Sequence, residues 1–163
     1  NEDEVLDFAR KTWGAAWNVR FIELMPIGNE RLIDENWRAR VVTAAEIRRE
    51  IEAALGPLQA AKMSGAGPAR YCRLPGARGT LGFITPLSEH FCTRCNRLRL
   101  TADGRLRPCL LSEQEIDLRE PLRRGADVSQ IKALILRAIE CKPPEHHLEQ
   151  QVPVSLAMSQ IGG

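Results

Sequence analysis

Three cysteines in the middle of the chain have the residue type and spacing of metal ligands. Cys92 and Cys95 are separated by two residues, and Cys109 follows 14 positions after Cys95. A pair with this spacing is typical of zinc knuckles and iron–sulfur proteins, because both thiolates reach one centre from a short turn. Three protein sulfurs leave one position of the site open, as catalytic and substrate-binding metals do. The cysteines therefore indicate either zinc or an iron–sulfur cluster.

A structural zinc site with a fourth protein ligand is the alternative to an open site. The candidates for that ligand are His90, His146, His147, Cys72 and Cys141. Cys72 and Cys141 fit small buried hydrophobic residues better, since free cysteine is among the most buried residue types. His146 and His147 follow two prolines in a polar stretch, and both are predicted to be solvated loop residues. Cysteine spacing alone does not distinguish a zinc site from an iron–sulfur cluster.

Two arginines follow the cysteine pair directly. Arg97 and Arg99 alternate along a predicted strand, so both side chains point to one face. Each guanidinium can donate two parallel hydrogen bonds to anionic oxygens, which suits a phosphate chain. A solvated sheet edge that the arginines protect from pairing is the alternative interpretation.

This strand is predicted to pair with a second one through a tight turn. Asp103–Gly104 are preferred residues of a two-residue type I′ turn, and they predict a hairpin with strands over 98–101 and 105–111. Such a turn places Cys109 opposite Leu98, on the face away from the two arginines. A β-bulge would bring the thiol and the guanidinium groups together.

The rest of the chain predicts a mixed α/β fold. A helix over 2–13 that ends at Gly14 precedes an apolar, buried strand over 19–26, and this succession is typical of an α/β sheet. The other predicted elements are a capped helix over 44–55, strands over 69–74 and 81–85, a short helix that starts at Ser112 or Asp117 and ends at Gly125, and a helix over 129–141.

Composition narrows the function classes. The 163 residues carry 23 basic and 21 acidic side chains, so bulk charge does not indicate nucleic-acid binding. No apolar run approaches the roughly 18 residues of a membrane helix, so no membrane association is expected. Five cysteines without a secretory leader favour a reducing compartment, the cytoplasm, and metal chemistry. The chain begins at Asn1 in an acidic amphipathic stretch and is interpreted as a piece of a longer protein.

These motifs together resemble the C-terminal part of the GTP 3′,8-cyclase (MoaA) family, which are radical S-adenosylmethionine enzymes of molybdenum cofactor biosynthesis. The resemblance covers essentially the whole chain. Its most specific features are the run Asn96–Leu100 and the terminal Gly162–Gly163. It is carried further by residues 20–26, 82–86, 90–95, 101–104, 109–110, 115–119 and 158–161.

The resemblance implies a fold and a set of roles. Residues 1–28 would be the last helix and strand of an incomplete (β/α)6 TIM-type radical S-adenosylmethionine barrel, and residues 29–163 an α+β extension that carries an iron–sulfur hairpin. The site residues that it implies are Cys92, Cys95 and Cys109 for a 4Fe–4S cluster with one open iron, Arg97, Leu98 and Arg99 for GTP, Met25 for S-adenosylmethionine, and Gly162 and Gly163 for completing the active site.

In the intact enzyme, the family scheme uses a second 4Fe–4S cluster to cleave S-adenosylmethionine, and the radical converts GTP to 3′,8-cyclo-7,8-dihydro-GTP. The cysteine motif of that second cluster, C-x3-C-x2-C, is absent, since no cysteine precedes Cys72. The 163 residues are therefore expected to be inactive alone and to need the missing N-terminal half of the barrel as a partner. Oligomeric state stays open, with a homodimer among the options.

Two other function classes compete with the enzyme interpretation. One is a free-standing iron–sulfur or zinc module that binds a nucleotide without catalysis. The other is a ubiquitin-like carrier activated at its terminal Gly162–Gly163, although a carrier has no use for the cysteine hairpin.

Overall fold

The computed structural model describes residues 1–25, 27, 36–65 and 67–146. The chain forms two compact units. The first comprises Asn1–Met25 and Arg38–Phe91, and the second comprises Pro26–Trp37 and Cys92–Gly163. No helix in the described ranges is long and apolar enough to cross a membrane.

The first unit is a four-stranded sheet covered by two helices. Its elements in chain order are α1 (Val5–Gly14), β1 (Asn18–Ile22), α2 (Ala44–Leu55), β2 (Gln59–Ala61), β3 (Arg70–Arg73) and β4 (Thr80–Ile84). The strand order is β1-β4-β3-β2, with β1 parallel to β4 and the other pairs antiparallel. The helices bury Ala9 and Ile51 completely against Leu81 and Phe83 of the central strand. The mixed α/β class predicted from the sequence is confirmed.

Helix α2 shows why its prediction succeeds. Thr43 and Glu46 form a capping box, in which the Thr43 hydroxyl accepts from the Glu46 amide and the Glu46 carboxylate accepts from the Thr43 amide at 2.8 Å. Ile47 and Ile51 then face the core at one-turn spacing. The helix covers Ala44–Leu55, the predicted range.

The prediction of a buried strand over 19–26 is wrong in two respects. Strand β1 ends at Ile22, and it is half-exposed, with Val19 and Phe21 turned toward the core and Ile22 55% exposed. The reason is its place in the sheet, because β4 is its one strand partner among the described residues. An edge strand with one covered face alternates in burial, whereas a central parallel strand is covered on both faces.

A buried carboxylate joins three segments at the end of β1. Glu23 is 3% exposed, and its side chain accepts hydrogen bonds from the amide of Ala44 at 3.2 Å and the amides of Leu87 and Ser88 at 3.0 Å each. The Ser88 hydroxyl donates to the same carboxylate. Burial raises the pKa of Glu23, but the hydrogen bonds from Ser88, Ala44 and Leu87 outweigh it and leave the pKa below its ordinary value. Glu23 thereby connects β1, the start of α2 and the chain that follows β4.

The second unit is a small antiparallel sheet with two helices. Its elements are β5 (Arg99–Leu100), β6 (Arg105–Arg107), β7 (Ile116–Asp117), α3 (Arg119–Arg123) and α4 (Val128–Glu140), and the strand order is β5-β6-β7. Both helices were predicted, and Asp117 and Asp127 are the residues that accept from the first free amides. Strands β2 and β7 were not predicted, because runs of two or three residues carry no readable alternation.

The predicted hairpin is confirmed, but the predicted length of its turn is wrong. The loop has three residues, 102–104, closed by bonds from the Gly104 amide to the Thr101 carbonyl at 3.0 Å and from the Thr101 amide to the Arg105 carbonyl at 2.9 Å. Gly104 has a φ of +84°, which makes it the left-handed residue of a three-residue turn with a bulge. As a result Arg99 faces Arg107 and Leu100 faces Leu106, one residue away from the predicted register.

Replacing Glu23 by alanine is expected to lower the free energy of unfolding by about 3 kcal/mol, since buried amides lose their acceptor. Urea unfolding followed by tryptophan fluorescence measures the change, and Glu50→Ala on the exposed side of α2 is the control. Because the folded-state pKa of Glu23 is lowered, its contribution is present above the ordinary value of 4.5 and is lost as the pH falls toward the folded-state pKa. If the difference in unfolding free energy between wild type and Glu23→Ala does not decrease at acidic pH, this role is contradicted.

Candidate functional site

The second unit brings the predicted cysteines and arginines into one region. Cys92 begins a turn of 3-10 helix, Cys92–Arg94, and the Cys95 amide closes it by donating to the Cys92 carbonyl at 3.0 Å. Cys109 lies two residues beyond the end of β6. All three thiols are free and partly exposed, so each is reachable by a metal.

The electrostatics of Cys92 show that the three thiols interact with one another. Burial raises the pKa of Cys92, and the charges of Cys109, Cys95 and Glu145 raise it further, while a hydrogen bond from the His146 amide opposes them. The pKa of Cys92 therefore lies above its ordinary value. Repulsion among thiolates is relieved by a bound cation or cluster, so the donor set of three thiols fits a metal centre.

Cys95 has the opposite shift. Burial raises the pKa of its thiol, but hydrogen bonds from the backbone and side chain of Arg97, together with the positive charges of Lys142 and Arg97, outweigh it. The pKa of Cys95 lies below its ordinary value, so this thiol ionises more readily than Cys92. A thiolate is the form that binds metal.

The arginines lie beside the same thiols. Burial lowers the pKa of Arg99, and the charge of Arg97 lowers it further, while Cys109 and Cys95 act in the opposite sense. The described pairing ends at Arg99 and Arg107, and Cys95 and Cys109 follow just beyond it on the two chain segments at the same end of the hairpin. The separation of cysteines and arginines onto two faces, which a two-residue turn predicts, is therefore wrong. The three-residue turn supplies the bulge that brings them together.

Leu98 points away from these groups. Its side chain packs on the core of the second unit, formed by Leu106, Leu118 and Ala138. Contact of Leu98 with a nucleotide would therefore come from its backbone, between the two flanking arginines.

The residues considered as a fourth metal ligand have different surroundings. The prediction that His146 is solvated is wrong, since it is 9% exposed and one of its ring nitrogens lies within 4.8 Å of the Cys92 sulfur. Cys72 is buried in the core of the first unit, as predicted, and accepts from Arg48 at 3.3 Å. Cys141 is partly exposed at the end of α4, and His90 belongs to the first unit.

Other predicted site residues are not brought to the cysteines by the described structure. Met25 is partly buried in the first unit, three residues after β1. Gly162, Gly163 and His147 lie outside the described residues.

Sequence reasoning missed two basic residues of this region. The Arg107 guanidinium is 1% exposed, donates through Nη2 to the Ser112 carbonyl and has Nε 3.5 Å from a Glu115 carboxylate oxygen. Lys142 Nζ donates to the carbonyls of Arg97 at 2.8 Å and Pro108 at 2.7 Å. The alternation of basic and apolar residues marks Arg107 as solvent-facing, and nothing near Lys142 marks it as a donor to distant strands.

Fold and site together define a mixed α/β protein in which free thiols lie beside paired guanidinium groups. The family model for Molybdenum Cofactor Synthesis C matches residues 17–148, and the chain belongs to this family. It is 54% identical to the GTP 3′,8-cyclase of Pelotomaculum thermopropionicum, 48% to that of Moorella thermoacetica and 45% to that of Nostoc sp.. Each match covers the whole of this chain and 49–50% of the relative. The resemblance inferred from the motifs is confirmed, and the chain spans about half the length of the curated relatives it matches.

In the metal-free chain, Cys95 is expected to be alkylated faster than Cys92 near neutral pH, because its lowered pKa gives a larger thiolate fraction. Iodoacetamide labelling followed by peptide mass spectrometry measures both rates. Arg97→Ala should slow the labelling of Cys95, whereas Arg94→Ala, a neighbouring exposed arginine, should not. Equal rates at Cys92 and Cys95 would contradict the assigned electrostatics.

Proposed function

We propose that the chain is the C-terminal part of a GTP 3′,8-cyclase and that it supplies the cluster and the GTP-binding groups of that enzyme. The observation that supports this most directly is a chain of electrostatic interactions within one unit: Cys92 with the other two thiols, Cys95 with Arg97, and Arg99 with Cys95 and Cys109. Whole-chain identity to proteins named GTP 3′,8-cyclase supplies the reaction. The intact protein would convert GTP to 3′,8-cyclo-7,8-dihydro-GTP in molybdenum cofactor biosynthesis.

Three thiolates would hold a 4Fe–4S cluster through three of its four irons. When bound, the cluster supplies one iron without a protein ligand as a Lewis-acidic contact for the guanine. Cys95 is prepared for ligation, because Arg97 and Lys142 stabilise its thiolate. The repulsion that raises the pKa of Cys92 is relieved when a cationic centre binds all three sulfurs.

Arg97 and Arg99 would bind the phosphates of GTP. Their guanidinium groups lie close enough to repel each other, and an anion between them removes that repulsion. In the same scheme Arg97 also stabilises the Cys95 thiolate, since its side chain forms a hydrogen bond with that thiol.

The remaining roles are assigned by resemblance. Residues 1–28 would form the last helix and strand of the radical S-adenosylmethionine barrel, and 29–163 the extension. Met25 would contact S-adenosylmethionine, while Gly162 and Gly163 would complete the active site. The second 4Fe–4S cluster, S-adenosylmethionine and the remaining barrel strands belong to the N-terminal half, with which this chain would act in the cytoplasm, as a monomer or homodimer.

The half-exposed edge strand β1 agrees with that assignment. It leaves Ile22 and Phe8 exposed beside a cavity of about 370 Å³ lined by residues of α1, β1 and α2. A further parallel strand paired with β1 would cover this apolar surface.

Zinc binding without catalysis is the second candidate function. The buried His146 beside Cys92 favours it, because a histidine nitrogen and a cysteine sulfur are both ordinary zinc ligands. The metal that the chain takes up distinguishes the two functions.

Anaerobic reconstitution with iron and sulfide should load the chain with about four irons and four sulfides, the content of one 4Fe–4S cluster. Alanine at Cys92, Cys95 or Cys109 should abolish stable loading, because two thiolates cannot hold the cluster. Cys141→Ser, at the partly exposed end of α4, is the matched control and should load normally. Stoichiometric zinc without sulfide would overturn the cluster assignment.

GTP affinity of the iron-loaded chain should fall about tenfold or more in Arg97→Ala and in Arg99→Ala, because each loses charged hydrogen bonds to phosphate. Isothermal titration calorimetry measures the affinities. Arg123→Ala, an exposed arginine of α3, removes the same charge elsewhere and should bind GTP as wild type does. If all three variants weaken GTP binding equally, the loss comes from the change in net charge and not from a site formed by Arg97 and Arg99.

The chain alone should form no deoxyadenosine from S-adenosylmethionine under reducing conditions, since its sequence has no cysteine before Cys72 to hold the cleaving cluster. Chromatography of the reaction mixture measures the product. Formation of deoxyadenosine by the 163-residue chain would contradict the assignment of S-adenosylmethionine cleavage to the N-terminal half.

A further inference from the structure

The ammonium group of Lys142 links the two chain segments that carry the cysteines. It donates to the carbonyl of Arg97 at 2.8 Å and to the carbonyl of Pro108 at 2.7 Å. Arg97 follows Cys95 by two residues, and Pro108 directly precedes Cys109. One side chain therefore joins the segment that follows Cys95 to the segment that precedes Cys109.

The backbone of Lys142 is itself held in place by helix α4. Ala138 of this helix is fully buried against Leu106 and Leu118, so α4 packs on the hairpin. The amides of Cys141 and Lys142 donate to the carbonyls of Arg137 at 2.9 Å and Ile139 at 3.1 Å. The end of the helix is thus a fixed point from which the lysine side chain reaches the hairpin.

The hairpin needs such a link near the cysteines. Strands β5 and β6 share two residue pairs, Arg99 with Arg107 and Leu100 with Leu106, and the described pairing ends there. Pro108 and Cys109 follow Arg107 and lie beyond the end of β6. Sheet hydrogen bonds therefore do not determine how far Cys95 lies from Cys109. The two bonds to Lys142 act at this place, and an ammonium has three donors with which to make them.

We propose that Lys142 is a positioning residue for the metal centre, which holds Cys95 and Cys109 at the separation that a single cluster requires. The inference rests on the proposed function insofar as the centre is a cluster. The link itself is independent of metal identity, since it joins backbone carbonyls and would order the thiols for zinc as well. Lys142 touches neither metal nor substrate in this role.

Loss of the link should shorten the lifetime of the bound metal. The full chain is reconstituted anaerobically with iron and sulfide, challenged with excess EDTA, and the decay of the cluster absorbance is followed. Lys142→Met keeps the length of the side chain and removes its donors. Its cluster should decay about tenfold faster than that of wild type, the factor expected for one charged hydrogen bond.

Two variants accompany Lys142→Met. Lys132→Met controls for net charge, because it removes one positive charge from the exposed side of α4, and it should decay as wild type does. Lys142→Arg keeps donors for carbonyl oxygens and should restore most of the lifetime. Equal decay in wild type and Lys142→Met overturns the proposal, and so does equal acceleration in Lys132→Met.

A measurement on the wild-type chain covers the case in which Lys142→Met does not fold. Brief acetylation of the metal-free chain with acetic anhydride, read by peptide mass spectrometry, reports how strongly each lysine is engaged. Lys142 should react about tenfold more slowly than the exposed Lys132 and Lys62. Equal reactivity would overturn the link. If the wild-type chain takes up zinc in place of iron and sulfide, the proposed cluster fails, whereas the link is still tested by the rate of zinc loss.

Discussion

The turn at Gly104 is the constraint on which the candidate site depends. Its left-handed φ of +84° closes a loop of three residues, and loop length fixes which residues of β5 and β6 face each other. The carbonyl of Gly104 accepts from the amides of Leu118 and Arg119 at 3.0 and 3.2 Å, so the same residue joins the hairpin to the start of α3. A Cβ at this position would lie 2.7 Å from the Arg119 Cβ. Both the backbone conformation and the close approach therefore require glycine.

The site follows from that register. With Arg99 opposite Arg107, the segments that carry Cys95 and Cys109 leave the sheet at the same end. Charge then distinguishes the thiols. Cys95 lies beside Arg97 and Lys142 and ionises more readily, whereas burial, and then the charges of the other thiols, raise the pKa of Cys92. In the proposed function, a metal that binds the three sulfurs would relieve the repulsion at Cys92.

The sequence predicts a secondary-structure element well where residues within that element determine it. The capping boxes that begin at Thr43 and Asp127 and the apolar faces behind them are local features, and both helices form as expected. Predictions fail where distant residues decide. Burial of β1 depends on its neighbours in the sheet, and His146 is buried beside Cys92, which lies 54 positions before it in the chain.

The site illustrates the same limit. Cysteine spacing and the alternation of Arg97 and Arg99 identify its groups, but their common face depends on a turn one residue longer than Asp103–Gly104 suggests. The turn dipeptide is compatible with both lengths, and the contact with Arg119 that goes with the longer loop comes from a residue 15 positions away. Lys142 could not be found from its own segment, because its acceptors are backbone carbonyls of two remote strands.

The central claim is that three cysteines and two arginines form one site for a cluster and a nucleotide. Electron paramagnetic resonance of the reduced, iron-loaded chain tests it most directly, with spectra recorded before and after saturation with GTP. GTP should change the g values of the cluster signal in wild type and leave them unchanged in Arg99→Ala at the same GTP concentration. An unchanged spectrum in wild type, while calorimetry shows GTP bound, would contradict a shared site.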